Sequence, residues 1–274
     1  MNAIGGALPR LERTGRVTQL RVLRSEWTKL VSVRSTRWSL LSAVILTIGL
    51  PLLFAGVTSS HWGSMGPHER ADRHPLDIAL AGVNVAQLAI AVLGVLLISA
   101  EYSTGSIRST FTAVPARLPV LWAKVLDYAV VSFVLILPAV LVSFFASQAI
   151  LAKHDILQIS FSQPGVSRSV MGGAVYVMLV GIFALAIGAI VRNTAGGIAA
   201  FAGIFFVLPP LMFVLPTSWN NAISQYLPSE AGRQLFALHH AAHTLTPLAG
   251  GLLLAGYCAA ALVIAAVLLV RRDV

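Results

Sequence analysis

Six long apolar stretches divide this chain, and polar or charged residues bound each of them. A helix of about 20 residues crosses a hydrocarbon core about 30 Å thick, and every stretch reaches that length. Backbone groups in lipid must hydrogen-bond within their own segment, so we expect all six to be helices. The sequence therefore predicts an all-α, polytopic membrane protein. Its predicted spans are 38–57, 78–99, 125–151, 170–191, 195–215 and 249–270.

Positive charge is distributed unevenly between the two sides of these spans. If the N-terminus, the connections after the second and fourth spans and the C-terminus share one side, 14 of the 19 Lys and Arg residues lie there. Basic residues favour the cytoplasmic side, so we expect both termini in the cytoplasm. Because the cations flank apolar spans, they indicate lipid headgroups as the anionic neighbour, and we expect no nucleic-acid partner.

The residues before the first predicted span fall into two parts. Residues 1–16 are rich in Gly and Arg and predict a mobile basic tail. Between 17 and 37, apolar residues recur at helical spacing, and polar ones such as Lys29 face away. This pattern predicts an amphipathic helix in the inner interface. A solvated basic lead-in that only fixes topology is the alternative. The apolar residues are Leu20, Leu23, Trp27, Leu30 and Val31.

The connection after the second span is the only inner one long enough to dock a soluble partner. An acidic side chain that ends a helix opposes the macrodipole, so Glu101 needs a nearby cation such as Arg108. A partner-binding segment and a plain loop with a local ion pair explain this equally well. The connection begins Glu101, Tyr102, Ser103, Thr104, Gly105, Ser106, Ile107, Arg108.

Three short segments beside the spans read LRSEWTKL at 23–30, EYSTGSIR at 101–108 and YLPSEAG at 226–232. Together they resemble the permease subunits of bacterial type-2 ATP-binding-cassette exporters, especially actinobacterial ones. The likeness covers most of the chain from about residue 20. It implies a permease in the bacterial cytoplasmic membrane that exports a substrate, and it does not identify that substrate. The apolar helix faces would suit an amphiphile.

The same resemblance implies a division of labour between chains. The six-span permease domain, 38–274, would pair with a second copy or a paralogue, and the dimer would bind two separate cytoplasmic ATPase subunits. ATP and Mg would lie on those subunits. The interface helix would contribute Arg24, Glu26, Trp27 and Lys29, and the ATPase-coupling segment would be 101–108. The outer loop, 216–248, would hold short re-entrant helices.

No lysine follows a glycine anywhere in the chain, so the Gly-Lys of a phosphate-binding P-loop is missing. A motor for transport would therefore belong to another chain. We expect this chain to have no catalytic residue, no enzymatic activity and no bound cofactor.

Few polar residues lie inside the predicted spans. Those that could line a translocation path are Asn84, Gln87, Ser143 and Ser147, although interhelical hydrogen bonds are the commoner use of such residues. Pro209 and Pro210 are expected to bend the fifth span.

All seven histidines fall on the outer side of this topology. His239 and His243 lie four residues apart, which is a weak metal-binding signal on a helix. No third ligand is in register with them, so we predict no metal site.

Other functions share this hydropathy. A proton-coupled carrier needs an ionisable residue at membrane depth, and none is present, because Asp127, the only candidate, lies about one turn inside the inner edge of the third span. A rhomboid-like intramembrane protease needs a Gly-x-Ser-Gly motif and a histidine in a span, and the sequence has neither. A six-span binding or immunity protein without turnover remains the alternative, and only the likeness of the coupling segment favours an exporter over it.

Overall fold

The computed structural model describes residues 18–106, 117–238 and 243–272. Within these ranges all regular structure is helical, and six helices are long and apolar enough to span a membrane. The predicted class, an all-α multi-pass membrane protein, is confirmed. The α-helices are α1 (Gln19–Ser32), α2 (Arg34–His61), α3 (Pro67–Ala71), α4 (Pro75–Ser103), α5 (Arg117–Ala152), α6 (Val166–Val191), α7 (Thr194–Ala202), α8 (Leu208–Leu211), α9 (Thr217–Ile223), α10 (Pro228–Arg233) and α11 (Pro247–Arg271).

The spans are α2, α4, α5, α6, the composite segment Thr194–Val214 and α11. Most of them extend beyond the apolar stretches that predicted them. The third span, α5, begins at Arg117 rather than at Val125 and has 36 residues, which makes it about 54 Å long. A hydrocarbon core is about 30 Å thick, so the helix is longer than the core and projects beyond it.

The N-terminal helix is shorter than predicted. Val33 has extended backbone angles (φ −74°, ψ 127°), so α1 ends at Ser32 and the first span begins at Arg34. The Nε of Arg37 donates a hydrogen bond of 2.9 Å to the carbonyl of Val31. This bond satisfies a carbonyl at the end of α1 that has no partner within the helix. The predicted interface helix over 17–37 therefore loses its last residues to the first span.

Glycines let the central helices α4 and α6 approach closely. A Cβ added at Gly94 would meet the backbone of Gly181, and one added at Gly188 would meet the backbone of Val95. Tyr128 of α5 crosses to this pair and donates a hydrogen bond of 2.6 Å to the carbonyl of Ile90. Small residues thus create the tight contacts that helices in lipid need in place of a hydrophobic driving force.

The fifth span is interrupted, as its two prolines predict. After α7 the chain forms a π-helix over Gly203–Val207, then α8 with Pro209 and Pro210, then a 3₁₀ turn over Met212–Val214. Proline lacks an N–H and its ring clashes with the carbonyl four residues earlier. The wider π-turn accommodates that clash, so the span stays helical but departs from regular α geometry in its second half.

The segment after the fifth span folds back into the bundle. Gly232 of α10 lies against the ring of Tyr176 and against Leu254. Tyr176 is ten residues from the start of α6, which corresponds to about 15 Å along the helix. α10 therefore dips well below the helix ends, an arrangement that fits the re-entrant helices expected within 216–248.

Six crossings bring α1 and the end of α11 to the same end of the bundle, which we call the α1 end. Arg117, at the start of α5, donates hydrogen bonds of 2.8 Å to the carbonyl of Leu269 and 2.9 Å to that of Arg272. These bonds join the beginning of the third span to the end of the sixth. Both ends of the described chain therefore lie on one side of the bundle.

Candidate functional site

Two carboxylates and two ammonium groups meet where α1, the end of α4 and the start of α5 converge. Lys124 Nζ lies 2.5 Å from Glu26 Oε2 and 2.8 Å from Glu101 Oε1. Lys29 Nζ lies 2.7 Å from Glu26 Oε1 and 3.3 Å from Glu101 Oε1. Each lysine bridges both glutamates, so the four side chains close a ring. We call Glu26, Lys29, Glu101 and Lys124 the charge cluster.

Three members of the charge cluster are shielded from solvent. Lys124 is 2% exposed, Glu26 5% and Glu101 14%, whereas Lys29 keeps 40% of its surface. A buried charge without a partner is costly, and here two negative charges face two positive ones. The cation that the end of α4 requires is thus supplied by Lys124 and Lys29. Arg108, the sequence-based candidate, lies outside the described residues.

α1 reaches the charge cluster because one of its faces packs on α5. Val22, Glu26 and Leu30 recur one turn apart and are buried. Val22 forms a small apolar core with Val120 and Ala123 of α5. This contact holds the Glu26 carboxylate against the third span.

A second face of α1 is apolar and looks away from the bundle. Leu20 is 76% exposed, Val31 45% and Trp27 41%, and Arg24 is also exposed. An apolar face of this kind suits a helix that lies in a membrane interface. Lys29, which the periodicity assigns to the opposite, solvated side, instead turns toward the bundle and joins the charge cluster.

The charge cluster shifts the titration of its α1 members. Burial alone raises the pKa of the Glu26 carboxyl, but the charges and hydrogen bonds of Lys124 and Lys29 outweigh burial and hold that pKa below its usual value. Burial alone lowers the pKa of Lys29, but hydrogen bonds and charges from Glu26 and Glu101 outweigh it and raise that pKa. Both groups are therefore held in their charged forms near neutral pH.

Tyr102, the neighbour of Glu101, makes a second connection in another direction. The guanidinium of Arg192 lies 5.0 Å from the centre of the Tyr102 ring, a cation–π contact. Arg192 also donates a hydrogen bond of 3.0 Å to the carbonyl of Leu268 in α11. It ends α6 in a left-handed conformation (φ 57°), which is uncommon for a residue with a side chain. Glu101 thus joins the end of α4 to α1 and α5. Its neighbour Tyr102 joins the same end, through Arg192, to α6 and α11.

The rest of the predicted coupling segment lies at the tip of this end. Ser103, Thr104, Gly105 and Ser106 are exposed, and Gly105 has a left-handed backbone (φ 72°) with open space around it. Ile107 and Arg108 lie outside the described residues. Water-exposed backbone therefore follows directly after two residues that are anchored in the bundle.

A cavity of about 330 Å³ lies beside the charge cluster. Leu93, Leu96 and Leu97 of α4 line its apolar side, and Lys29 and Thr36 lie at its polar side. The end of α4 is thus not packed solidly against the α1–α2 junction. It has room for a small displacement.

The four residues proposed for a translocation path make hydrogen bonds within the bundle. Gln87 accepts a bond of 2.6 Å from the hydroxyl of Tyr176, which joins α4 to α6, and Gln87 donates to the carbonyl of Asn84 at 2.8 Å. Ser143 bonds across to the carbonyl of Ala79 at 2.8 Å. Ser147 donates to the carbonyl of Phe144 in its own helix. Of these bonds, those of Gln87 with Tyr176 and of Ser143 with Ala79 join two helices, whereas the other two stay within one helix and involve Asn84 only through its backbone carbonyl. A translocation path along these residues stays a prediction.

The weak histidine pair falls partly outside the described residues, because His239 is not among them. His243 is, and its backbone is left-handed (φ 62°). Among the described residues, no group of three His, Cys, Asp or Glu side chains is arranged to hold a metal ion.

Lys124 and Arg192 stand out in the sequence only as cations that flank spans, and the sequence alone does not reveal their roles in this site. The available signal was the need of Glu101 for a cation, together with a lysine placed among the apolar residues where α5 begins. That signal does not choose between Lys124 and Arg108. No protein-family model matches the chain, and a search of curated proteins finds no match either.

Proposed function

We propose that this chain is the membrane-spanning permease subunit of an ATP-driven exporter of the type-2 ATP-binding-cassette class. It works in a bacterial cytoplasmic membrane with both termini inside, and moves an amphiphilic substrate out of the cytoplasm. A separate cytoplasmic ATPase, carrying ATP and Mg, supplies the energy. Two permease copies, or this chain and a paralogue, form the membrane part. The chain itself carries out no catalysis.

The single observation that carries the proposal is the charge cluster. Buried ion pairs are weak contributors to stability, because apolar residues of similar volume often serve as well. A closed ring of four charges among Glu26, Lys29, Glu101 and Lys124 therefore suits a role in fixing how elements sit relative to one another. It joins the segment expected to receive the ATPase to the N-terminal helix and to the third span.

The arrangement supports mechanical transmission in two directions. A push on the exposed residues 103–106 acts on the last turn of α4, where Glu101 and Tyr102 are anchored. Glu101 transfers it through Lys124 to α5 and through Lys29 to α1. Tyr102 transfers it through Arg192 to α6 and α11.

In mechanistic terms, closure of the ATPase biases the permease between two packings, one open inward and one open outward. ATP binding at a distant site can shift such an equilibrium only if the two states hold the partner differently. The polar connections at the α1 end link the receiving segment to four helices. The position that this segment offers to the ATPase therefore changes when those helices change their packing. The cavity of about 330 Å³ beside the cluster leaves room for the displacement.

The test is reconstitution with the ATPase that co-isolates from the native host. We expect vesicles with the wild-type chain to stimulate ATP hydrolysis. Gly105→Glu places a charge at the exposed tip and should insert normally yet lose the stimulation. Gly105→Asn is the matched control, because asparagine tolerates a left-handed backbone and adds no charge.

Three outcomes would overturn the proposal. The first is ATP hydrolysis by the purified chain alone, the second is a failure to co-isolate with any hydrolase from its host, and the third is equal stimulation by Gly105→Glu and Gly105→Asn. Substrate export from inverted vesicles, dependent on ATP and on both chains, is the positive result expected.

A further inference from the structure

A cavity of about 370 Å³ lies at the end of the bundle opposite α1, beside the interrupted half of the fifth span. Its volume falls in the range of small-molecule sites, about 300–1,000 Å³. The cavity has two chemically different walls. One is aromatic and proline-rich, and the other is polar. The lining residues are Phe205, Phe206, Pro209, Pro210, Phe213, Asn220, Ser224, Glu230 and Arg233.

The π-helix and the two prolines of the fifth span form the aromatic wall. Phe205 lies in the π-helix and is held by stacking on Phe201, with ring centres 4.6 Å apart. Phe205 is 2% exposed, whereas Phe213, beyond the two prolines, is 80% exposed. The wall therefore has a fixed inner ring and an accessible outer one.

α10 carries the charged part of the polar wall. Pro228, Ser229, Ala231 and Gly232 are buried, which fixes the helix in place. Glu230 and Arg233 point from it, and their ion pair is a single contact of 3.0 Å between Arg233 and Glu230 Oε1. Among the described residues, Glu230 Oε2 and the remaining guanidinium N–H groups make no hydrogen bond.

This pair is unusual for its position. Charged residues at membrane depth are costly and generally face a cavity or a partner. The two side chains neutralise each other through one contact and keep 45% and 29% of their surface exposed, so a purely apolar occupant would cover their remaining polar atoms without supplying a hydrogen bond. An anionic head would be repelled by Glu230, and a cationic head by Arg233. A head with one charge of each sign satisfies both residues.

We propose that this cavity binds a zwitterionic, single-chain amphiphile. Its ammonium group bonds to Glu230, its phosphate group bonds to Arg233, and its apolar chain lies on the wall formed by Phe205 and Phe213. Asn220 and Ser224 supply further hydrogen-bonding groups at the polar rim. That this amphiphile is exported cargo rests on the proposed function, whereas its binding does not.

Binding can be measured without an ATPase. The full chain is placed in nanodiscs of anionic phosphatidylglycerol and titrated with lysophosphatidylethanolamine that carries a dansyl group at the end of its acyl chain. We expect saturable energy transfer from tryptophan that unlabelled lysophosphatidylethanolamine displaces. Lysophosphatidylglycerol and dodecyltrimethylammonium, which carry one charge each, should compete about tenfold less well.

Variants tie the signal to the cavity. Glu230→Gln and Arg233→Gln should each weaken binding about tenfold, because each removes a charged hydrogen-bonding partner. Phe213→Ala should weaken it about threefold to tenfold. Val214→Ala is the matched control, since Val214 is 83% exposed and does not line the cavity. Variants are compared only where gel filtration and helical content match the wild type.

The inference is overturned if both charge variants bind like the wild type, or if the two singly charged amphiphiles compete equally well. It is also overturned if Phe213→Cys forms a disulfide between copies in native membranes, because a second copy then covers the cavity. Intact binding without ATP-driven transport would reject the proposed function and leave this site standing.

Discussion

The two ends of the bundle are held together by different kinds of contact. At the α1 end, four charges and two arginines connect helix ends over polar distances of 2.5 to 3.3 Å. At the opposite end Arg168 also donates hydrogen bonds to the carbonyls of Leu235 and Ala237, but among the described residues no ion pair joins two helices there, and α10 packs against bare backbone. A Cβ at Gly250 would meet the carbonyl of Ala231, and one at Gly172 would meet that of Leu235.

This difference indicates a division of mechanical roles. Ionic contacts keep part of their attraction when charges separate slightly, because the energy falls only as the inverse of distance. Close-packed contacts lose their attraction over a fraction of an ångström. The α1 end can therefore move while staying connected. The opposite end is suited to hold α10 and its cavity in a fixed shape.

The largest effect is expected from Lys124→Met at the α1 end. Lys124 is 2% exposed and pairs with both glutamates, so its removal leaves buried carboxylates short of a cation. We expect a loss of about 3–5 kcal/mol in the free energy of unfolding. Reversible unfolding in mixed micelles, followed by helical content, measures it.

The exposed Lys153 provides the control, and Lys153→Met should change stability by less than about 0.5 kcal/mol. The triple variant Glu26→Gln, Glu101→Gln, Lys124→Met should recover most of the loss, because it leaves no buried charge without a partner. Equal stability of Lys124→Met and Lys153→Met would mean that the charge cluster is not formed in the folded protein.

A smaller loss in the free energy of unfolding is expected at the other end, where it comes from steric overlap rather than from an unpaired charge. Gly250→Ala forces a methyl group against the carbonyl of Ala231, at a cost of about 1–3 kcal/mol. Gly256 lies in the same helix with nothing within 4 Å of an added Cβ. Gly256→Ala should therefore be neutral or slightly stabilising, since alanine favours helix more than glycine does. The same unfolding assay compares the two variants, and equal effects would argue against the wedged position of α10.

Much of the fold follows from the sequence, for a simple physical reason. Lipid offers no hydrogen bonds to the backbone, so an apolar stretch of about 20 residues that crosses it must form a helix. All six spans are thus found where hydropathy predicts them. Their ends are not, because a helix continues past the charged residues and prolines that end an uninterrupted apolar stretch. α5 shows this most clearly, because it begins at Arg117, ahead of Pro119 and Lys124.

The candidate site was less accessible to prediction. Helical periodicity identified an apolar face on α1, but the structure divides it: Leu23 and Leu30 pack on the bundle, whereas Leu20, Trp27 and Val31 look away from it. The face that docks carries Glu26, and only tertiary contact makes a glutamate a buried residue. Likewise, Glu101 signals that it needs a cation. Which cation it finds depends on how α4 and α5 pack, and no local pattern encodes that.

The smallest effect is the pH dependence of α1 docking. The pKa of Glu26 is lowered in the folded protein, so its stabilisation is present above about pH 4.3, the unfolded value, and is lost as pH falls through the lower folded value. The pKa of Lys29 is raised, so its stabilisation is present below about pH 10.4 and is lost as pH rises through the higher folded value. Between about pH 5 and 9, docking should not depend on either group.

A dye on Ser25→Cys, an exposed position of α1, reports docking through its fluorescence anisotropy. We expect a plateau from about pH 5 to 9, with a decrease on the acid side that Glu26→Gln removes. Lys29 is 40% exposed, so water screens its interactions and the alkaline decrease should be the weaker of the two. A transition centred near neutral pH would show that neither group controls docking, and the connection at the α1 end would then have to come from Tyr102 and Arg192.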